Sequence, residues 1–570
     1  MQRFCRPDLL FVMTLVLAFS AAPVRADLPD VLEHVPADAP VAVVAPSLAQ
    51  VGQKLAMLNQ RLGLNQPMLA DPISFAQASL QMHEGVDLGR GAVFMMLSMP
   101  NPEQPGAEPD LGMLIPVTDY NAFLGNFEAQ GAGDVREITL MGEPSYVTQV
   151  GRYALIGSSE NAAANYESPG EDAALRTRLG AVGLEAMEGS DLMVLVDMEK
   201  LGPLMMQGMM QGMMMAPEFN EPEVAAVMQF YSTIMEKVML DGSGMVLGLR
   251  VSEDGIALDS SVQFREDTAM AAAFAEGPAE RPRLNHLPDS KYMVAATADL
   301  RTLPLEQWLT GLREMFAEGD DEFSTMMRQA ITDSSIHHAN TQMLFDPGFG
   351  MGGSLFNAVT VSLTDDPEAA VQAFRQEVVK MNDLELADEM TYQTDWQEDV
   401  MQIDGHDVDR YSIKMQVPPE MMAELGPAAM FVTQDMGGHI VTTDDAVIAG
   451  TGSDTKLLKD TLALDDGAAS LDDNAGIEQV RQHLPSEPAA EMFINVGTML
   501  EMANEFIMMF DPDSQLNVPA NLPPVANATV IKEGGVGGRL FIPMPVIDTV
   551  RSMVEQLAGD SGLQLGATQP

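Results

Sequence analysis

The methionines of the stretch LMMQGMMQGMMMAPEF could do chemistry by spacing alone. Met205, Met209 and Met213 stand four residues apart, as do Met206, Met210 and Met214, so a helix would gather all six on one face with Met215 beside them. Thioethers are soft ligands, and outside the cytoplasm such a face would select Cu(I). These six residues are the candidate metal ligands of the chain, and no other cofactor is expected. The competing reading is packing. The chain carries 46 methionines, and a methionine stripe at helical spacing also makes a pliable core or contact surface. Gly208 and Gly212 in the same run would let a second helix approach closely.

Three of the eight histidines, His34, His286 and His483, stand two residues before a proline in similar contexts, where a fourth copy of the context has Met187. A shared ligand role and inheritance through duplication both account for that recurrence. His337 and His338 are adjacent, so on a strand they point to opposite faces and cannot grip one metal. The acidic stretches DGHDVDRY and FDPDSQLN could attract a cation, but neither has the glycine and terminal glutamate of a calcium loop. The chain contains no His-Glu-x-x-His, no Gly-x-Ser-x-Gly elbow, no phosphate-binding Gly-x-x-x-x-Gly-Lys-Ser/Thr loop and no Gly-x-Gly-x-x-Gly following a strand. Catalytic residues are therefore not assigned.

Composition narrows the partners. With 83 acidic and 30 basic residues in 570, the formal charge is −53, a field that repels nucleic acid phosphates and anionic headgroups. Nucleic acid is excluded as a partner. The start MQRFCRPD, the apolar run LLFVMTLVLAFSAA and the ending Val24-Arg25-Ala26 have the form of a secretory signal cut after Ala26. The run is shorter than the roughly 18 to 20 apolar residues that a bilayer span needs, and no later segment reaches that length. The mature chain is expected to carry no transmembrane segment and to work in the periplasm or as a secreted protein. The single cysteine, Cys5, falls within the signal, so disulfide scaffolds, thiolate metal sites and thiol nucleophiles are excluded from the mature chain.

The elements that would position any site come in a repeated plan. In HVPADAPVAVVAPSLAQVGQKLAML the prolines and Asp38 set a turn, VAVVA has the length and branching of a strand, and Ser47 can cap a helix through Leu55 and Leu58. The stretch around Pro288 repeats this as HLPDSKYMVAATAD and a helix containing Trp308 and Leu312; fainter copies lie at 187–206 and 483–506. Further matches follow in the same order. IPVTDYNAFLGNF matches VSLTDDPEAAVQAF, a hairpin and helix at 146–166 match 431–462, and GMVLGLRVSEDGIALDSSVQF matches VANATVIKEGGVGGRLFIPM.

That collinearity predicts a tandem duplication: a signal over 1–26, α+β halves over 27–280 and 281–557, and a flexible C-terminal tail over 558–570. Strands joined by hairpins as well as helices predict mainly antiparallel sheets covered by helices on one face.

The segments HVPADAPVAVV, GVDLGRGAVFMML and LPPVANATVIKEGGVGGRLFIPMPVI resemble an uncharacterised family of secreted bacterial proteins, a domain of unknown function that opens with a signal peptide and an LPADT-like turn. The resemblance implies secretion and an α+β fold, and brings no activity or functional residues. The functional expectation is a secreted or periplasmic, non-enzymatic binding or structural protein that meets a protein or envelope component. The alternatives are an extracytoplasmic hydrolase using scattered carboxylates and a methionine-rich copper-binding protein.

Overall fold

The computed structural model describes residues 29–561 apart from 65, 100–107, 132, 216–234, 279–280, 303–337, 348–355, 383–390, 420, 423–434, 453–454 and 511–515. The signal segment, the helix expected around Trp308 and His337 lie outside the described residues. The chain forms two compact units, one from residues up to 221, 235–275 and 531 onward, the other from 222–234 and 276–530.

The first unit is built on strands β1 (Val41–Ala45), β2 (Ala92–Met96), β3 (Leu111–Pro116), β4 (Arg136–Leu140), β5 (Glu143–Val150), β6 (Tyr153–Gly157), β7 (Leu192–Asp197), β8 (Gly242–Val251) and β9 (Gly255–Phe264). They are joined by β19 (Gly535–Pro543). Every pairing is antiparallel, in the order β4-β5-β6-β3-β2-β1-β7-β8-β9-β19. The second unit contains β10 (Val294–Ala298), β11 (His338–Pro347), β12 (Phe356–Thr364), β13 (Thr391–Ile403), β14 (His406–Gln416), β15 (Gly438–Thr442), β16 (Ala446–Thr451), β17 (Ala490–Ile494) and β18 (Val525–Lys532). Their order is β13-β14-β15-β16-β12-β11-β10-β17-β18, again antiparallel throughout. The architecture is α+β with antiparallel sheets, as the hairpin-rich sequence predicts.

The local signals act where they were read. Ser47 Oγ accepts from the Gln50 N–H at 3.4 Å and starts α1 (Leu48–Arg61). The other three copies of the device also end on a side chain that accepts from a backbone N–H ahead of it, and the helix expected after Asp299 lies outside the described residues. Asp197 Oδ1 accepts from Lys200 N, Asp299 Oδ1 from Arg301 N and Asn495 Oδ1 from Thr498 N. The two Thr-Asp motifs do the same, Asp119 capping a short helix at Asn121 and Ala122, and the second aspartate of Thr-Asp-Asp, Asp366, capping at Ala369.

Two expectations need correction. Helices do not cover one face only. On β1, Ala42 and Val44 enter a core with Leu175, Leu179 and Met187 of α2 (Ala173–Met187), whereas Val43 and Ala45 enter another with Val51, Leu55 and Leu58 of α1. An unbroken apolar run such as VAVVA marks a strand buried on both sides. The second correction concerns the C-terminus. Residues from 531 on, read above as the end of the second half, cluster with the first unit because β19 hydrogen-bonds along β9. The helix after it, Met544–Ser561, runs into the span expected as a flexible tail from 558, and buries Met544 fully against α1.

Candidate functional site

Strand β9 alternates as sheet geometry requires, but with an inverted outcome. Ala257, Asp259, Ser261 and Gln263 are buried, while Leu258 on the opposite face is 44% exposed and Leu247 on β8 is 42% exposed. The covered side is sealed by α2, which comes close because glycine lines the contact. Gly180 breaks the helix with φ 61°, and a Cβ there would lie 1.8 Å from Gln263 Oε1. A Cβ on Gly248 would stand 2.7 Å from the Ala186 carbonyl, and one on Gly535 would stand 2.5 Å from Val182 Cγ2. The sheet thus hides polar side chains and presents apolar ones, with Leu249 and Leu540 flanking Leu258 in register.

Under α2 the polar groups form an ionic network. Asp259 receives the Arg539 Nε–H at 2.7 Å, and Arg250 Nε lies 2.9 Å from its other oxygen. Arg250 also donates to the Glu185 carbonyl, and Lys532 pairs with the Glu185 carboxylate at 3.1 Å. Burial pushes the Asp259 carboxyl above its ordinary value, and the two guanidinium groups oppose that shift. Nearby, burial pushes the Asp191 carboxyl up to about 7 against the pull of Lys54, whose ammonium lies 3.6 Å away, of the Val251 N–H and of Arg250. Burial likewise lowers Lys54.

Asp191 makes a pH prediction. Because the folded state holds the Asp191 proton more tightly than an unfolded aspartate near 3.9, stability should fall as pH rises from about 4 to about 7 and level off above. The contribution is on the order of 4 kcal/mol across that window. Relief of repulsion among 83 acidic residues has the same sign, so the informative measurement is the difference between wild type and Asp191→Asn. Chemical denaturation at pH 5 and pH 8 should show a shallower slope in the variant; identical slopes would refute the assignment.

The second unit holds a network that sequence reading missed. Glu491, fully buried on β17, accepts from Arg281 Nε at 3.1 Å and from Arg481 Nε at 3.1 Å. Arg481 continues to Asp472 at 2.6 Å and lies over the Phe493 ring at 5.4 Å. Burial tends to raise the Asp472 carboxyl, but Arg481 and the Leu284 N–H hold it below the ordinary range. A single glutamate in AEMFI gave no sign of this, since its partners lie 210 and 10 positions away.

Within each unit, the described candidates read from sequence have partners of their own. His34 belongs to the first unit, where Nδ1 meets Ser168 Oγ at 2.7 Å and the ring sits edge-on to Tyr153. Burial lowers its pKa. His286 and His483 belong to the second unit; the His286 backbone N–H donates to Gln342, and Met187, which holds the fourth position, is a buried core residue. In DGHDVDRY the residues Asp404 and Gly405 make the β13–β14 turn, Asp407 accepts from Gln402, and Asp409 accepts from Trp396 Nε1 and the Asp399 N–H. Most of FDPDSQLN lies outside the described residues.

The methionine run is helical, in α3 (Met198–Met215). Met205 is 36% exposed and Met206 half-buried; the side chains of Met209, Met210, Met213 and Met214 lie outside the described residues. At the base of α3 a cleft of about 190 Å³ is lined by Met198, Glu199, Pro203, Met239, Leu240 and Arg265. Among the described residues, no group of three or more His, Cys, Asp or Glu is placed to hold a metal, and no helix is long and apolar enough to cross a membrane.

The fold defines an α+β protein of antiparallel sheets. No family model matches the chain, and no curated protein matches it. Among solved structures, crystal form III of TP0453 aligns over 49% of this chain and 100% of its own at 9% identity and a TM-score of 0.21. Crystal form IV of TP0453 aligns over 48% and 97% at 10% identity and a TM-score of 0.22. Similarity at that level carries neither fold nor function to this chain.

Proposed function

We propose that the chain is an extracytoplasmic, non-enzymatic binding or structural protein built from a duplicated α+β module, with a protein or envelope component as its partner. One observation carries this reading. The β8–β9–β19 sheet turns leucines outward and seals its charged groups beneath α2. An apolar face kept open while carboxylates and guanidinium groups are spent internally suits recognition by surface contact. Two buried acids whose carboxyls are pushed up are each held by internal cations. Asp191 pairs with Lys54 and Asp259 with Arg250 and Arg539, and their side chains are 7% and 4% exposed.

Duplication is supported by connectivity. From β1 outward, the first unit runs β1-β2-β3-β6-β5-β4 in one direction and β7-β8 in the other. The second runs β10-β11-β12-β16-β15-β14-β13 and β17-β18, the same path with one added strand, while the first unit continues past β8 through β9 and β19.

The test is recovery of the protein from its native envelope fraction. The expected product begins at Asp27, retains a protein or glycan through purification and carries no stoichiometric copper. One equivalent of Cu(I) that survives dialysis, and is lost when Met205, Met209 and Met213 are all replaced by Leu, would overturn this reading in favour of metal handling. The exchange conserves volume and is expected to cost less than about 1.5 kcal/mol at any buried position.

A further inference from the structure

The pairs that join β9 to β19 run from Gly255 opposite Pro543 to Gln263 opposite Gly535, and the middle pair is Asp259 opposite Arg539. In the sequence, Glu253-Asp254-Gly255 matches Glu533-Gly534-Gly535, so Asp259 and Arg539 hold the same position in two matching strands. An antiparallel pair of equivalent strands whose register is centred on one position is self-complementary in its backbone. By hydrogen bonding alone, β9 could accept β9 of a second copy of the chain as readily as its own β19.

We propose that the opposite charges of Asp259 and Arg539 assign β9 to β19 of the same chain and reject β9 of a second copy. The inference goes beyond the binding role above and does not depend on it. In a β9–β9 pair, two Asp259 carboxylates would face each other across the sheet; in a β19–β19 pair, two Arg539 guanidinium groups would do so. Like charges directly opposite are unfavourable, and a buried position intensifies the penalty. Only the β9–β19 combination places the carboxylate between two guanidinium groups, Arg250 from β8 and Arg539 from β19. The other pairs along the two strands carry no charge and cannot discriminate in this way. Repulsion against the wrong partner is how self-complementary edges acquire specificity.

Full-length variants test the assignment. Arg539→Glu sets acid against acid, and Asp259→Arg sets guanidinium against guanidinium, so each chain alone is expected to lose the β9–β19 pair and unfold at lower denaturant than wild type. Mixed, they are complementary. Native mass spectrometry of the two after joint refolding should show a 1:1 heterodimer that neither forms alone. The double variant Asp259→Arg/Arg539→Glu restores an opposite-charge pair between the two strands but sets the new arginine beside Arg250, so it should recover the wild-type assembly state and part of the lost midpoint. The proposal is overturned if Arg539→Glu behaves as wild type, or if the double variant stays as impaired as the single ones and the mixture gives no 1:1 species.

Discussion

A fragment of residues 27–280 is expected not to fold as a stable monomer, although the sequence repeat ends there. Without β19 the whole β9 edge loses its partner strand, and Asp259 loses Arg539 while remaining beneath α2. The core around α1 loses Met544, which is fully buried, and Ile547 packed beside it. Arg61 loses Asp548 at 3.2 Å. Removing one partner of a buried ion pair costs about 3 to 5 kcal/mol, and removing a buried methionine side chain about 2 to 5. Together these approach the 5 to 15 kcal/mol that holds a typical domain. Size-exclusion chromatography and far-ultraviolet circular dichroism should find the fragment expanded or aggregated, and addition of a peptide spanning 531–561 should restore a compact species. A cooperative, monomeric 27–280 fragment would count decisively against the role given to β19.

The second large effect is expected in the other unit. Glu491→Gln removes a buried negative charge from between Arg281 and Arg481 and should cost about 3 kcal/mol, toward the lower end because Asp472 still pairs with Arg481 and Arg281 keeps partial contact with water. Both tryptophans, Trp308 and Trp396, belong to residues 276–530, so tryptophan fluorescence reports this unit. Urea titration followed at that signal should shift its midpoint down by about 1 to 2 M. An unchanged midpoint would mean that the network is neutral to stability. Arg481→Met should do comparable damage, since it takes the 2.6 Å partner from Asp472 and leaves Glu491 with Arg281 alone.

How much of this could be read beforehand depends on the range of the interaction responsible. Capping is local: Ser47, Asp119, Asp366 and Asn495 each bond a backbone N–H two or three residues ahead, so their sequence contexts are legible. Turns are local too, and Gly151, with φ 56°, sits where the hairpin between β5 and β6 was read. Strand β1 spans the VAVVA run residue for residue. The histidine recurrence at His34, His286 and His483 was visible, but the His34 ring meets Ser168 across 134 positions of chain, a contact that the repeated context does not announce. The methionine periodicity was visible as well, and α3 gives it a helix, with Met205 on the surface.

By itself, then, the sequence determined the local elements, the antiparallel α+β class and the acidic character of the surface, because propensity, capping and hairpin chemistry act within a few residues. Tertiary structure alone decided which side of β9 is inside. Period-two alternation shows that Ile256, Leu258 and Val262 share a face and that Asp259, Ser261 and Gln263 share the other, and burial of the apolar set would be the ordinary expectation. The reverse holds because α2, narrowed at Gly180 and Gly183, closes over the polar face and supplies no room for larger side chains. Arg539 meets Asp259 across 280 positions of chain, and Arg281 meets Glu491 across 210. Pairings at such separations are fixed by strand order and register, which no local pattern encodes.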